Sequence, residues 1–367
     1  MIRTSDRYIG KQVLFGTLYA VVVLGLVLVL GNLFKEIQPL LVEQKAPIGI
    51  VIRFVIGVLP VSLMYTVPWG FLSAVLLVFS RLSMHQEITA FRVAGVSLVR
   101  LSAPVFVIGA VLSGVSLWLN LKVVPDSKST ITQLLYEQAS RDPGSLLKPG
   151  VAQGDIKGGR QGNSRLLIEG KSDGWVDGFH FYQLGDGEGE RTYVHADRAA
   201  LAVDEENSRL NLKLENAVFE KRESDGSVEL VIAGYAEPLL IDLKDPRRKK
   251  KRASAMSNEE ILEEIAVNRE MTEKKKVRFR SEITKRYSFS MACLAFSFVA
   301  VPLGIGARRR DTSGGLVASL VIGTVYFLIS MLAGDSGSEA GATVFLWVPN
   351  VACVLLGLYL FRRARFR

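Results

Sequence analysis

Histidine and cysteine are nearly missing from this chain: 367 residues carry three of the first and two of the second. Numbers so small leave no Cys/His set with zinc-ligand spacing, and they imply no disulfide framework. Cys293 and Cys353 both fall in apolar stretches, where a thiol serves as a small apolar side chain without a redox duty. Also missing are G-x-S-x-G, H-E-x-x-H and G-x-x-x-x-G-K-S/T. Their absence removes the nucleophile elbow, the helical zinc protease motif and the phosphate-binding loop. The expectation is no catalytic residue, no metal ligand and no bound cofactor, and no ATP hydrolysis by this chain alone.

Charge is missing in long patches. Although 22% of residues are charged, none lies in Gln12 to Phe34, Phe54 to Ser80, Leu101 to Leu121, Tyr287 to Ala307, Thr312 to Gly334 or Ala340 to Phe361. A hydrocarbon core about 30 Å thick is crossed by about 20 apolar residues, and each window reaches that length. Soluble cores rarely run past about 18 residues without a charge, so the windows read as six transmembrane helices. The first is too long for a signal-peptide core and no small-residue cleavage site follows it, so it reads as a retained span. Buried acids of the sort that relay protons are also absent from the windows, which gives little support to ion-driven transport.

The charges that remain set an orientation. Arg3, Arg7, Lys11, Arg81, Arg92, Arg100, Arg308, Arg309, Arg310, Arg362, Arg363, Arg365 and Arg367 gather on one side; the other side's short segments hold Lys35, Lys45 and Arg53. The positive-inside rule then puts both termini in the cytoplasm and the large loop outside it. The run PRRKKKRAS (Pro246 to Ser254) conflicts with that count, but long loops cross largely regardless of charge.

Between the second and third windows lies SMHQEITAFRVAGVS, residues 83 to 97. Ser83 with Gln86 reads as a capping box and Gly95 as a left-handed stop, which predicts a helix over 83–95, about three turns. Met84, Ile88 and Phe91 recur at helical spacing, with His85, Gln86, Glu87, Thr89 and Arg92 on the other faces. It is an amphipathic knob on a cytoplasmic loop. Such a helix can seat in a partner's groove, with Glu87 available to a partner's arginine; the plainer reading of Glu87 is a solvent-facing helix residue.

Between the third and fourth windows, Lys122 to Arg286 reads as a domain of its own. RLNLKLENAVFEKR (Arg209 to Arg222) alternates Leu210, Leu212 and Leu214 against Asn211, Lys213 and Glu215. Strands such as GFHFYQL and RTYVHA, which carry His180 and His195, lie among turn signals at Asp173-Gly174, Asp177-Gly178, Asp186-Gly187 and Asp225-Gly226. The pattern predicts an antiparallel sheet with one buried face, as a sandwich or open barrel. The Gly-rich stretch Val151 to Ser164 lacks the Lys-Ser/Thr ending of a phosphate loop and reads as a surface loop. Ser257 with Glu260 opens a further helix, and Val277, Phe279 and Ile283 lead helically into the fourth window.

What remains is a membrane body with a cytoplasmic knob, an outer sheet domain and no motor. Taken in order, DRYIGK (Asp6 to Lys11), EITAFRVAGVS (Glu87 to Ser97), PLLIDL (Pro238 to Leu243), SNEEILEEI (Ser257 to Ile265), AVPLGIGARRR (Ala300 to Arg310) and WVPN (Trp347 to Asn350) resemble the LptF/LptG permease family over essentially the whole chain. DRYIGK looks more like the LptG side. The resemblance implies six transmembrane helices with a periplasmic β-jellyroll between the third and fourth. Its domains would be helices 1–3 over 1–121 with a coupling helix at 83–95, the β domain over 122–256, a helical connector over 257–286, and helices 4–6 with a basic tail over 287–367.

The family's function would make this chain a permease subunit of the ABC exporter that extracts lipopolysaccharide from the inner membrane. It would pair with a second LptF/LptG permease and an LptB-like ATPase dimer, which alone uses ATP and Mg, and pass lipopolysaccharide to LptC-like and LptA-like bridge proteins. No nucleic acid is implied. Glu87 falls on the family's coupling-helix glutamate, with His85, Phe91, Arg92 and Gly95 around it. Lys35, Arg53, Lys122 and Arg286, beside Lys285, would stand at periplasmic span ends, where they bind lipopolysaccharide phosphate or merely anchor helices. Leu24, Leu28, Phe34, Val321, Tyr326 and Phe327 would line the cavity or gate, or else face lipid. Two other classes stay open: a non-transporting scaffold whose sheet binds periplasmic proteins, and a membrane-bound enzyme of envelope lipids, against which the missing acid/base and metal sets count.

Overall fold

Every charge-free window is helical where the chain is described. The computed structural model describes residues 4–36, 48–141, 149–154, 164–172, 175–184, 191–204, 209–222, 227–242, 252–268, 271–306, 312–332 and 338–365. The chain falls into two compact units, one of residues 1–34, 52–131 and 252–367, the other of residues 35–51 and 132–251. Three sequence expectations lie outside the described residues: the turns at Asp173-Gly174, Asp186-Gly187 and Asp225-Gly226, the Gly-rich stretch over 155–163, and the basic run over 246–251.

The first unit is helical. It is built from α1 (Thr4–Glu36), α2 (Ile48–Met84), α3 (Glu87–Val93), α4 (Leu98–Trp118), α5 (Val124–Arg141), α6 (Asn258–Val267), α7 (Glu273–Ser290), α8 (Ala292–Gly306), α9 (Thr312–Leu332) and α10 (Glu339–Arg365). A π turn, Leu119–Val123, joins α4 to α5, whose far end belongs to the second unit as does the end of α1. Five helices are long and apolar enough to cross a membrane, or six when the bent pair α7 and α8 counts as one. Burial separates their roles: 67% of the most apolar window of α2 is buried against 11% of that of α1. Helix α2 is therefore the central post. It packs Phe71, Leu72, Leu76 and Phe79 against Val105 of α4 and Cys293, Phe296 and Ala300 of α8. The apolar outer face of α1 suits hydrocarbon rather than water.

Small residues let the helices close up. A Cβ on Gly323 of α9 would lie 2.8 Å from the Trp69 ring nitrogen of α2, so glycine is what permits that approach. Pro60 and Pro68 both lie inside α2, which continues through them as one helix of 37 residues.

The window Tyr287 to Ala307, expected as one span, is broken at Met291, where α7 and α8 meet at a 40° bend. The Met291 amide donates to both Tyr287 O and Ser288 O, which tightens the last turn of α7 and ends its regular ladder. The Ser288 carbonyl, which already accepts from Met291, has a second lone pair for a side-chain donor. Asn350 of α10 supplies one: its Nδ2 lies 2.9 Å from both Ser288 O and Ser288 Oγ, while its Oδ1 accepts from the Tyr326 hydroxyl of α9 at 3.1 Å. Ser288 Oγ in turn donates to Leu346 O. All four residues are buried, so the break is bound into three helices by contacts between residues 24 to 62 apart in the chain.

The second unit holds a sheet. Strands β1 (Gln153–Gly154), β2 (Ser164–Ser172), β3 (Trp175–Leu184), β4 (Arg191–Asp204), β5 (Arg209–Arg222) and β6 (Val228–Asp242) pair antiparallel with their chain neighbours, in the order β1 to β6. The described strands form a meander with one buried face, the antiparallel arrangement expected. β5 coincides with the expected strand, and Leu212 and Leu214 are 1% exposed while Lys213 faces out.

The alternation does not run through. In β3 the buried positions pass from Val176 to Phe179, in β4 from Ala196 to Ala199, and in β5 from Leu214 to Ala217. Each slip falls on one row across the sheet, Gly178, Asp197 and Asn216, where bridging skips from Asp177↔Arg198 to Phe179↔Ala196 and from Arg198↔Glu215 to Ala196↔Ala217. Gly178 has φ 62° and Asn216 φ 52°, left-handed values that reset the pleat. The Asn216 amide donates to Asp197 Oδ2 at 3.0 Å across the row. Asp177-Gly178, expected as a turn, is thus a crease inside β3. The left-handed glycine is present, but the fold uses it to reset the pleat of a strand and not to turn the chain.

Gly178→Val tests the crease. The left-handed backbone alone costs roughly 1–2 kcal/mol for a residue with a Cβ, and that Cβ would press on the Glu169 side chain. Amide hydrogen exchange of the purified full chain should show faster opening of β3 and β4 with the helical unit unchanged; equal protection in both forms counts against the strain.

Candidate functional site

The short helix between the second and third spans begins later than expected. α2 runs to Met84, and the His85 and Gln86 amides still bond back to Arg81 O and Ser83 O, at 3.0 and 3.2 Å. Gln86 then takes a left-handed conformation, φ 60°, and α3 covers Glu87–Val93. The expected Ser83/Gln86 capping box is absent, and the helix has about two turns rather than three. The reason is tertiary: the Ser83 hydroxyl donates to Ile305 O at 3.1 Å, and Ser80 likewise to Gly304 O at 3.3 Å, so both serve the end of α8.

The stop is as expected. The Gly95 amide donates to Arg92 O and the Val96 amide to Phe91 O, both at 2.9 Å, with Gly95 at φ 82°: a Schellman motif whose turning residue needs the freedom of glycine. Ser97 follows at once as the cap of α4, its hydroxyl accepting from the Arg100 amide.

One face of α3 is sunk into the helical core. Ile88 is 4% exposed within the cluster that holds Ile9 and Val13 of α1, Leu82 of α2 and Leu101 of α4, and Phe91 packs beside it. His85, Thr89, Arg92 and Val93 point outward. Glu87 is half-buried at the first turn, where a carboxylate suits the unpaired amides of a helix start. Its Oε2 accepts from the Tyr8 hydroxyl of α1 at 3.1 Å. Two more polar contacts hold the same region: Arg100 to Asp6 at 2.9 Å and Arg81 to Gln12 at 3.3 Å. Tyr8 and Asp6 were singled out in the sequence only as part of a motif. Their partners stand 79 and 94 residues away, a separation that no local pattern reports.

The four expected phosphate cations are placed differently from one another. Arg53 is exposed near the start of α2 and Lys122 is exposed in the π turn. Lys35 lies in the last turn of α1, and its side chain, like that of Phe34, is outside the described residues. Arg286 is 3% exposed: its guanidinium donates to Asn258 Oδ1 at 2.7 Å, Met256 O at 2.6 Å and Ala253 O at 3.1 Å. That fork is filled by the chain itself, and it ties α7 to the start of α6, a structural post rather than an open cation.

The expected gate residues also separate. Leu28 and Val321 are exposed and Leu24 is half-buried, whereas Tyr326 is 3% exposed in the Asn350 knot. Phe327 packs its ring among Tyr65, Trp69 and Phe289, with centroids 5.3 to 5.8 Å apart.

In the sheet unit His180 and His195 are cross-strand partners whose rings stack at 4.6 Å. His180 Nδ1 lies 2.8 Å from the Tyr193 hydroxyl, and burial, followed by the neighbouring Tyr182, Glu220 and Glu169, pushes that phenol above the ordinary tyrosine range. Among the described residues no three His, Cys, Asp or Glu are grouped to hold a metal ion.

Gly95 gives a clean local test, because a Cβ there would meet open space and only the backbone is strained. Gly95→Val should weaken the α3 stop by about 1 kcal/mol, while Gly95→Asn, which tolerates the left-handed region, should keep most of it. Hydrogen exchange at the Gly95 and Val96 amides reads the difference, and equal protection in the two variants would remove the motif from the account.

The sequence pattern of a family described as lipopolysaccharide export system permease LptF/LptG matches residues 7–363, essentially the whole chain. A comparison with curated proteins found no match.

Proposed function

The chain belongs to the LptF/LptG family of lipopolysaccharide export permeases, and from that premise we propose that it is one membrane subunit of an ABC exporter driven by a separate ATPase. The observation that carries the reading is that match over 7–363, which takes in the apolar helices, the α3 knob and the inserted sheet together. In this reading the membrane is the bacterial inner membrane, both termini and α3 face the cytoplasm, and the sheet unit is periplasmic. An LptB-like ATPase dimer uses ATP and Mg, and this chain binds neither. A second LptF/LptG permease completes the cavity, and LptC-like and LptA-like proteins receive the lipopolysaccharide from the sheet.

Three features support the coupling step. α3 is short, capped at its end and seated on a core that reaches α1, α2, α4 and α8, so a push on it meets a solid base. His85 and Arg92 face out beside the half-buried Glu87 and can meet a partner's groove. A carboxylate on a partner's arginine gives a charge-assisted and orientation-specific contact. Gly95 ends the helix sharply and Phe91 fixes its roll, so both act through the placement of Glu87.

For the substrate, the anionic head would meet Arg53, Lys122 and Lys35, while Arg286 keeps the connector in place. Acyl chains would lie against apolar surface such as Leu24, Leu28, Phe34 and Val321, with Tyr326 and Phe327 stiffening the helix behind it. Exposed cations at span ends bind phosphate as ammonium or guanidinium donors, and the flexible stems cover apolar surface at the same time.

Purification in mild detergent of the tagged chain and of Glu87→Arg, with identification of the co-purifying proteins, tests the reading. The native chain should bring an ATPase and a second permease. Charge reversal should lower the ATPase recovered by at least about tenfold, since it sets like charges together at the contact, and should leave the permease partner in place. A native chain that arrives without any ATPase would sink the exporter reading and favour a non-transporting scaffold.

A further inference from the structure

Glu87 is already held within its own chain. The Tyr8 hydroxyl donates to it at 3.1 Å, and on either side Asp6 meets Arg100 at 2.9 Å and Gln12 meets Arg81 at 3.3 Å. Between these polar contacts Ile9 and Val13 are fully buried against the cluster that includes Leu82, Ile88 and Leu101. The foot of α1 is thereby bound to the end of α2, to α3 and to the first turn of α4.

Above that foot α1 packs on α2 as far as Val21: Thr17 is 4% exposed, and a Cβ on Gly70 of α2 would stand 3.1 Å from the Val21 amide nitrogen. Beyond that contact α1 is open. Only 11% of its most apolar window is buried, and Val27 is 60% exposed. A rod held through its lower half turns a tilt of that half into a larger excursion at the far end. The stretch from Val21 to Glu36 measures about 22 Å at about 1.5 Å per residue, and a tilt of about 5° moves its end by about 2 Å.

We propose that Tyr8 is a positioning residue for Glu87, and that α1, gripped at its foot by the Tyr8–Glu87, Asp6–Arg100 and Gln12–Arg81 contacts, carries a push on α3 into the membrane. The proposal rests on the reading of α3 as the ATPase-docking helix. The hydroxyl holds the carboxylate in one rotamer before the partner arrives, so less side-chain freedom is lost on docking. The same bond makes α1 feel any displacement of Glu87.

The test uses the full complex of this chain with its partner permease and ATPase in lipid nanodiscs. Tyr8→Phe removes one oxygen and should weaken docking of the ATPase about fivefold, the scale of one ordinary hydrogen bond, at an unchanged melting temperature. Glu87→Ala, which leaves no side-chain acceptor for the Tyr8 hydroxyl, weakens docking too, and the double variant should be no worse than Glu87→Ala alone, because Tyr8 acts through the carboxylate. Multiplying losses in the double variant would overturn the positioning role, and so would native docking by Tyr8→Phe while Glu87→Arg fails to dock. If Glu87→Arg docks normally, the coupling reading itself falls and takes the proposal with it. For the lever, spin labels at Val27 of α1 and Val111 of α4, both about 60% exposed, should change separation when ATP binds. Tyr8→Phe should shrink that change; an equal change in both proteins would show that α1 moves without the grip.

Discussion

A break in a helix inside an apolar interior has to be bound by side chains, and much of the helical unit is arranged around one such break. At the end of α7 the ladder stops at Met291, and Asn350 reaches across from α10 to take the Ser288 carbonyl and hydroxyl. The same amide accepts from Tyr326, so α9 is bound in as well. Hydrogen bonds of this kind between membrane helices are individually modest, of order 1 kcal/mol. Their value lies in direction: apolar packing alone would let α9 and α10 slide and rotate, whereas a fork of bonds to one carbonyl and one hydroxyl permits a single register. Arg286, one turn earlier, does the same for the connector by filling its guanidinium with Asn258, Met256 and Ala253. The end of α7 that enters the bend is thus fastened twice.

Much of this was legible in the residues themselves. A charge-free window has only one stable use at such length, and the helices follow the windows closely. Gly95 and the Ser257/Glu260 box depend on neighbours within a few residues, and both are present as read. The errors have a common cause. Ser83 had the local grammar of a cap, but its hydroxyl was taken by Ile305, 222 residues on. Asp177-Gly178 had the grammar of a turn, but its left-handed glycine was used to reset a strand. Arg286 looked like a rim cation because charge is visible in sequence and burial is not. In the candidate site, Glu87 and its helix could be found, while Tyr8 could not be assigned to it until the fold brought α1 alongside.

In the apolar helices α1, α2, α4 and α10 charge sits only toward the ends. The pairs at the foot of α1 are partly exposed and each contributes little to stability. They sit, however, around the fully buried Ile9 and Val13, which exclude water and fix the geometry. Apolar packing holds the foot together and the polar ring sets its rotation. That division explains why α3 can be so short: an isolated helix of seven residues would not survive in water, and it persists as the exposed lip of a larger apolar knot.

The crease in the sheet bears on how its interior can be probed chemically. Because the pleat resets along the row of Gly178, Asp197 and Asn216, positions 214 and 219 look to the same side although one is even and one is odd. Cysteine scanning interpreted by simple alternation would place a thiol-reactive label on the wrong surface for half the length of β5. The natural unit for such mapping is each half-strand on either side of the crease, each with its own parity.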